Sequence, residues 1–135
     1  MTVMIDTNII LDYVLERENF AEIARKFIEY LRFNNYQAFL TASTITDIYY
    51  LVLRETKNIS ATKNIISTLL DSFYVASVSK SDCVNALKTE IKDYEDSILY
   101  VCAKKVEADY IVTRNIKDFI NSPIKAIMPS EFIKI

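Results

Sequence analysis

The chain has 135 residues, 51% of them hydrophobic and 25% charged, with a net charge of −2. That balance describes one globular domain over residues 1–135, long enough to bury a core without disulfides or a structural metal. Histidine and glycine are both absent, which excludes Ser-His and Cys-His nucleophile systems, His-containing zinc sites, and the Walker and dinucleotide loops that need glycine where backbone closes on phosphate.

Residues 2–5, TVMI, read as a short buried strand, and the helical segments NIILDYVLE and FAEIARKFIEYLRF follow, with Ile23, Phe27 and Leu31 at helical spacing. QAFLT is a second strand. STITDIYYLVLRE is a helix with Ile45, Ile48, Tyr49 and Val52 on one face and Ser43 or Thr44 as its expected cap. SATKNIISTLLDSF continues as a helix into strand-like YVASVS, and SDCVNALKTEI and YEDSILYVCAKKVE read as two more helices. DYIVT is a strand, NIKDF a helical turn, and the chain closes with apolar KAIM and with PSEFIKI, where Pro129 suits a first helical turn. Strands alternating with helices predict an α/β fold with a mainly parallel central sheet flanked by helices on both faces. Cys83 and Cys102 lie in apolar helical patterns and are read as free thiols. No basic leader precedes the first strand and no apolar run reaches the ~18 residues of a membrane span, so the expected location is the cytoplasm.

The acids stand at the ends of elements. Asp6 closes the first strand within VMIDTNII, where it serves either as a helix N-cap or as a site residue. Asp47 lies in the third helix about 40° from Leu51, on the rim of the apolar stripe. Asp93, Glu95 and Asp96 precede or open a helix, which the helix dipole favours in any protein. Asp118 either caps or decorates the turn after Asn115. In a parallel sheet the strand ends near Asp6 and Thr113 share one edge, and the helix start at Asp96 can lie beside them. Carboxylates gathered there repel one another unless a cation joins them, and oxygen-only ligands select a hard ion, Mg²⁺ or Mn²⁺.

With these features in place, MIDTNIILDYVLER and DYEDSILYVCAKKVEADYIVTRNIKDF resemble the corresponding segments of the PIN-domain family of metal-dependent ribonucleases, which includes the VapC-type toxins. The resemblance spans nearly the whole chain and implies a PIN-like α/β/α sandwich. It matches Asp6 to the first metal ligand, Asp96 to the third, and Asp47 to a position where the family usually has Glu. It makes Asp118 a fourth acid, Asn8, Thr113 and Asn115 supporting polar groups, and Arg114 and Lys117 contacts to phosphate. Where many members have Asp, Asn115 stands here, and the family's frequent glycine is Glu107, expected to change only how the preceding helix ends. The resemblance further implies hydrolysis of RNA phosphodiesters, a homodimer joined through the early helices, and an antitoxin partner. Two rival readings are a non-catalytic PIN-like module that binds RNA or protein, and an aspartyl-nucleophile phosphatase. The latter wants a second Asp where Asn8 stands.

Overall fold

The computed structural model describes residues 1–135. It contains β1 (Thr2–Ile5), α1 (Thr7–Val14), α2 (Ala21–Phe33), β2 (Gln37–Thr41), α3 (Ala42–Thr56), α4 (Ile59–Ser72), β3 (Tyr74–Ala76), α5 (Lys80–Ala86), α6 (Tyr94–Lys105), β4 (Tyr110–Val112), a 3₁₀ turn (Ile116–Phe119), β5 (Ala126–Ile127) and α7 (Pro129–Phe132). The strands form one sheet in the order β3-β2-β1-β4-β5, and every pair is parallel. The expected mixed α/β sandwich is the observed one.

Side chains alternate across a strand, and the two cores follow that alternation. Val3, Ile5 and Val112 pack into one hydrophobic cluster with Phe27, Ile28, Ile48 and Phe132. Met4 and Ile111 point the other way and pack with Ile98, Leu99, Cys102 and Phe119. β1 is therefore clothed on both faces and is the most deeply buried strand: Val3, Met4 and Ile5 are each 0% exposed. Pairing Ile5 with Val112 places Asp6 beside Thr113, and the Asp6 N–H donates to the Val112 carbonyl at 3.0 Å.

Local details differ from the sequence reading in three places. α3 is capped by Thr41, whose hydroxyl accepts the Thr44 N–H, because β2 runs into the helix without an intervening turn. Ser43 and Thr44 therefore lie inside the helix. α5 stops at Ala86 and does not run on to Ile91, since the Thr89 hydroxyl accepts the Ile91 N–H and meets Ser97, an alternative to helical bonding. β3 covers only Tyr74–Ala76 of the expected YVASVS, because Ser79 leaves the sheet to form a capping box with Asp82 at the start of α5.

In a chain without glycine, left-handed turns fall to other residues. Glu107, where the resemblance expects glycine, has φ of 56°, and the following Ala108 N–H reaches back to the Ala103 carbonyl at 2.9 Å to close the end of α6.

Candidate active site

The carboxyl ends of β1 and β2 and the starts of α3 and α6 surround a cleft of about 550 Å³. Six carboxylates line it: Asp6, Asp47, Asp93, Glu95, Asp96 and Asp118, with Asn8 and Asn115 beside them and no Lys or Arg. This edge of a parallel sheet is where α/β folds build sites.

Asp6 occupies the N-cap position of α1 but makes no side-chain cap bond. Its carboxylate instead accepts the Thr113 hydroxyl at 2.8 Å, and Thr113 Oγ1 in turn accepts the Asn115 N–H at 3.0 Å. Thr113 is fully buried, so this chain of bonds ties the end of β1 to the turn after β4. Burial raises the Asp6 pKa, outweighing the hydrogen bonds from Thr113 and the Thr7 N–H; Asp118 adds repulsion and Arg114 offsets part of it. At the next strand end the Thr7 and Thr41 hydroxyls both donate to Thr44 Oγ1, at 3.1 and 3.0 Å, fixing α1 against α3.

Asp93 caps α6 by accepting the Asp96 N–H at 3.0 Å. That holds the first helical turn so that Asp96 faces the cleft. Its carboxyl is pushed up to about 7, first by burial and then by repulsion from Asp6, Asp93, Asp118 and Glu95. Glu95 is raised too, first by the charge of Asp47 and then by partial burial. Three carboxyls thus resist ionisation, each in part because at least one other carboxylate of the cleft is near. The six surround the cleft without converging: no three of them form a ready-made metal cage, the arrangement that mutual repulsion favours when like charges share a cleft.

The basic pair expected to face phosphate divides between two places. The Arg114 guanidinium is bound to Asp12 through Nε at 2.7 Å and Nη2 at 3.2 Å, and it stacks on Phe20, 4.0 Å from the ring centroid. Asp12 is 1% exposed and also pairs with Arg17 at 3.6 Å. Arg114 is therefore held on the α1–α2 side of the sheet and does not line the cleft. Lys117 is exposed and borders a smaller depression shared with Lys92, Asp93 and Asp118. It stands next to the acidic cleft.

The PIN-domain sequence model matches residues 2–117. This chain belongs to the PIN-domain family. Among curated proteins no sequence matches it. Solved structures resemble it over nearly their full length. VapBC2 of Rickettsia felis, bound to a DNA fragment from the promoter, aligns at a TM-score of 0.74 with 17% identity, covering 95% of this chain and 98% of that one. A toxin–antitoxin complex from Klebsiella pneumoniae aligns at 0.70 with 20% identity and coverages of 94% and 97%. VapBC-1 of nontypeable Haemophilus influenzae aligns at 0.71 with 19% identity and coverages of 96% and 99%. At these identities the likeness is one of fold.

Within this PIN domain the structure brings Asp6, Asp47, Asp96, Asp118, Asn8 and Asn115 to one cleft, with Thr113 beneath Asp6. Sequence reasoning left Asp93 and Glu95 out of the site, although both were visible as acids opening α6. It also passed over Asp12, a charge inside apolar NIILDYV, and Tyr50, which stands one turn beyond Asp47 and lines the same cleft. A lone charge in a buried helix and an aromatic following an acid by three residues were the available signals.

Proposed function

We propose that the chain is a divalent-metal-dependent endoribonuclease that hydrolyses RNA phosphodiester bonds, the toxin of a toxin–antitoxin pair. The observation that carries this reading is the cleft in which six carboxylates gather without a counter-charge, where burial and then their repulsion push Asp96 up to about 7. Such a cluster stays costly until a cation joins it, and a donor set made only of oxygen fits Mg²⁺ or Mn²⁺. Asp6, Asp47, Asp96 and Asp118 are the residues that would hold the ion. When bound, it supplies a water of lowered pKa and neutralises charge on the phosphate.

The chain's own groups do the rest. Thr113 orients the Asp6 carboxylate through its hydroxyl. Asn115 and Asn8 present amide groups to the cleft for water and phosphate oxygens. Asp96 is half-protonated near neutrality and becomes a full anion above it, so the cleft attracts a cation more strongly as pH rises through about 7. Lys117, on the rim, meets the RNA backbone. Arg114 holds the strand end in place through Asp12 and is not counted among the substrate contacts. The products carry 5′-phosphate and 3′-hydroxyl ends.

The structural neighbour named as a toxin–antitoxin complex supports an antitoxin partner, and the exposed Phe20 and Phe33 at the ends of α2 support a homodimer through the early helices. Titration of the purified protein with Mn²⁺ alongside cleavage of single-stranded RNA tests the reading. Binding with hydrolysis that chelator abolishes supports it. RNA binding without hydrolysis at saturating Mn²⁺ assigns the non-catalytic module instead.

A further inference from the structure

Tyr50 is 64% exposed, although it is a large aromatic side chain. It lines the acidic cleft from the same helix as Asp47. Three residues along α3 carry it about 4.5 Å up the helix axis and about 60° around it, so both side chains look toward one side. Its ring is braced edge-on by Tyr49, with centroids 5.2 Å apart and planes at 83°, which leaves the ring's position set before any ligand arrives.

The other apolar residues of the cleft are Leu11, Leu51 and Leu99; Leu11 and Leu99 are buried in the cores. Tyr50 is therefore the cleft's one large exposed apolar surface, set among carboxylates, amides and hydroxyls. A protein partner wants a contiguous apolar patch. A single planar ring beside a phosphate-directed site suits a flat ligand carried on a phosphate chain.

We propose that Tyr50 is the stacking platform for the nucleobase adjoining the phosphate held in the cleft, and that it makes the cleft select a strand with an unpaired base at that point. This inference rests on the nuclease reading above. A phosphate drawn to the level of Asp47 leaves its base within reach of the ring one turn along the helix. Because every base has a π-face, such a contact favours unpaired RNA over duplex without dictating sequence. It places Tyr50 in contact with substrate but not with the reacting atoms.

The test compares a short single-stranded RNA with an oligonucleotide of the same length and charge whose central position is abasic, each bound in Ca²⁺ and measured by fluorescence anisotropy. Free Mn²⁺ is followed by electron paramagnetic resonance in the same proteins. The wild type is expected to bind the intact RNA roughly tenfold more tightly than the abasic one, the range that one stacked base contributes. Tyr50→Ala should erase that difference and keep Mn²⁺ affinity, while Tyr50→Phe and Tyr50→Trp should retain it. Equal affinity of the wild type for the two oligonucleotides, with Mn²⁺ binding intact, overturns the stacking role and leaves the metal site standing. So does a Tyr50→Ala protein that changes oligomeric state but not RNA discrimination, which would give the ring to a protein interface. Absence of Mn²⁺ binding by the wild type overturns the nuclease reading and this inference with it.

Discussion

Replacing Asp96 by Asn should stabilise the metal-free protein above neutral pH while removing its response to metal. A carboxyl moved from 3.8 to about 7 would, if fully shielded from water, oppose folding by about 4 kcal/mol once ionised. Asp96 is only half-buried, so solvent screening cuts that to about 1–2 kcal/mol. Loss of an acid from the first turn of α6 costs about 0.3–1 kcal/mol in the opposite sense, leaving a net gain of about 1 kcal/mol. The sign follows from proton linkage: the folded-state pKa is raised, so the folded protein binds more protons than the unfolded chain between pH 3.8 and about 7, and the wild type loses stability as pH rises through that window. Urea denaturation in EDTA should show the two proteins differing little near pH 4 and Asp96→Asn the more stable at pH 8. Mn²⁺ at 100 times its dissociation constant should raise wild-type stability by about 2.7 kcal/mol and the variant by far less. Equal or lower stability of Asp96→Asn at pH 8 in EDTA would refute the argument that the carboxylates strain the cleft.

Asp12→Ala should cost about 3 kcal/mol, the low end for breaking a buried ion pair because Arg114 keeps some contact with water; a loss under about 1 kcal/mol in chemical denaturation would show that Arg114 does not depend on Asp12. Glu107→Gly should stabilise by about 0.5–1 kcal/mol, since it relieves a side chain held at φ of 56° less the extra chain entropy glycine gives the unfolded state, and an unchanged or lower melting temperature would contradict it. Lys117→Ala should lower the slope of log affinity for RNA against log salt by about one while leaving Mn²⁺ affinity alone; an unchanged slope would remove Lys117 from the substrate contacts.

Much of the fold was readable from local pattern because alternation and helical spacing report which way side chains face. Val3, Met4 and Ile5 divide between two cores as a twice-covered parallel strand requires. Asp6 was legible as an interruption, since a carboxylate directly after three fully buried residues needs a reason. The helix dipole explains Asp93 and Glu95 without any site, so their place in the cleft beside Asp96 and Asp47 emerged only in three dimensions. Arg114 illustrates the same limit. Its partner Asp12 lies 102 residues away, and no local pattern distinguishes an arginine waiting for phosphate from one bound to a buried carboxylate. The cap of α3 was displaced by two or three residues because Thr41 belongs to both strand and helix, a junction that periodicity cannot resolve.

The most direct measurement of the central claim is cleavage of single-stranded RNA by wild type and by Asp6→Asn, with Mn²⁺ and with EDTA, and with the ends of the products identified. Asp6→Asn keeps the size of the side chain and an oxygen able to accept from Thr113 while removing one anion from the cleft. Cleavage by the wild type only with Mn²⁺, leaving 5′-phosphate and 3′-hydroxyl ends, and loss of at least a hundredfold in a folded Asp6→Asn protein are the predicted results. Cleavage that persists in EDTA, or at wild-type rate in Asp6→Asn, would contradict the account.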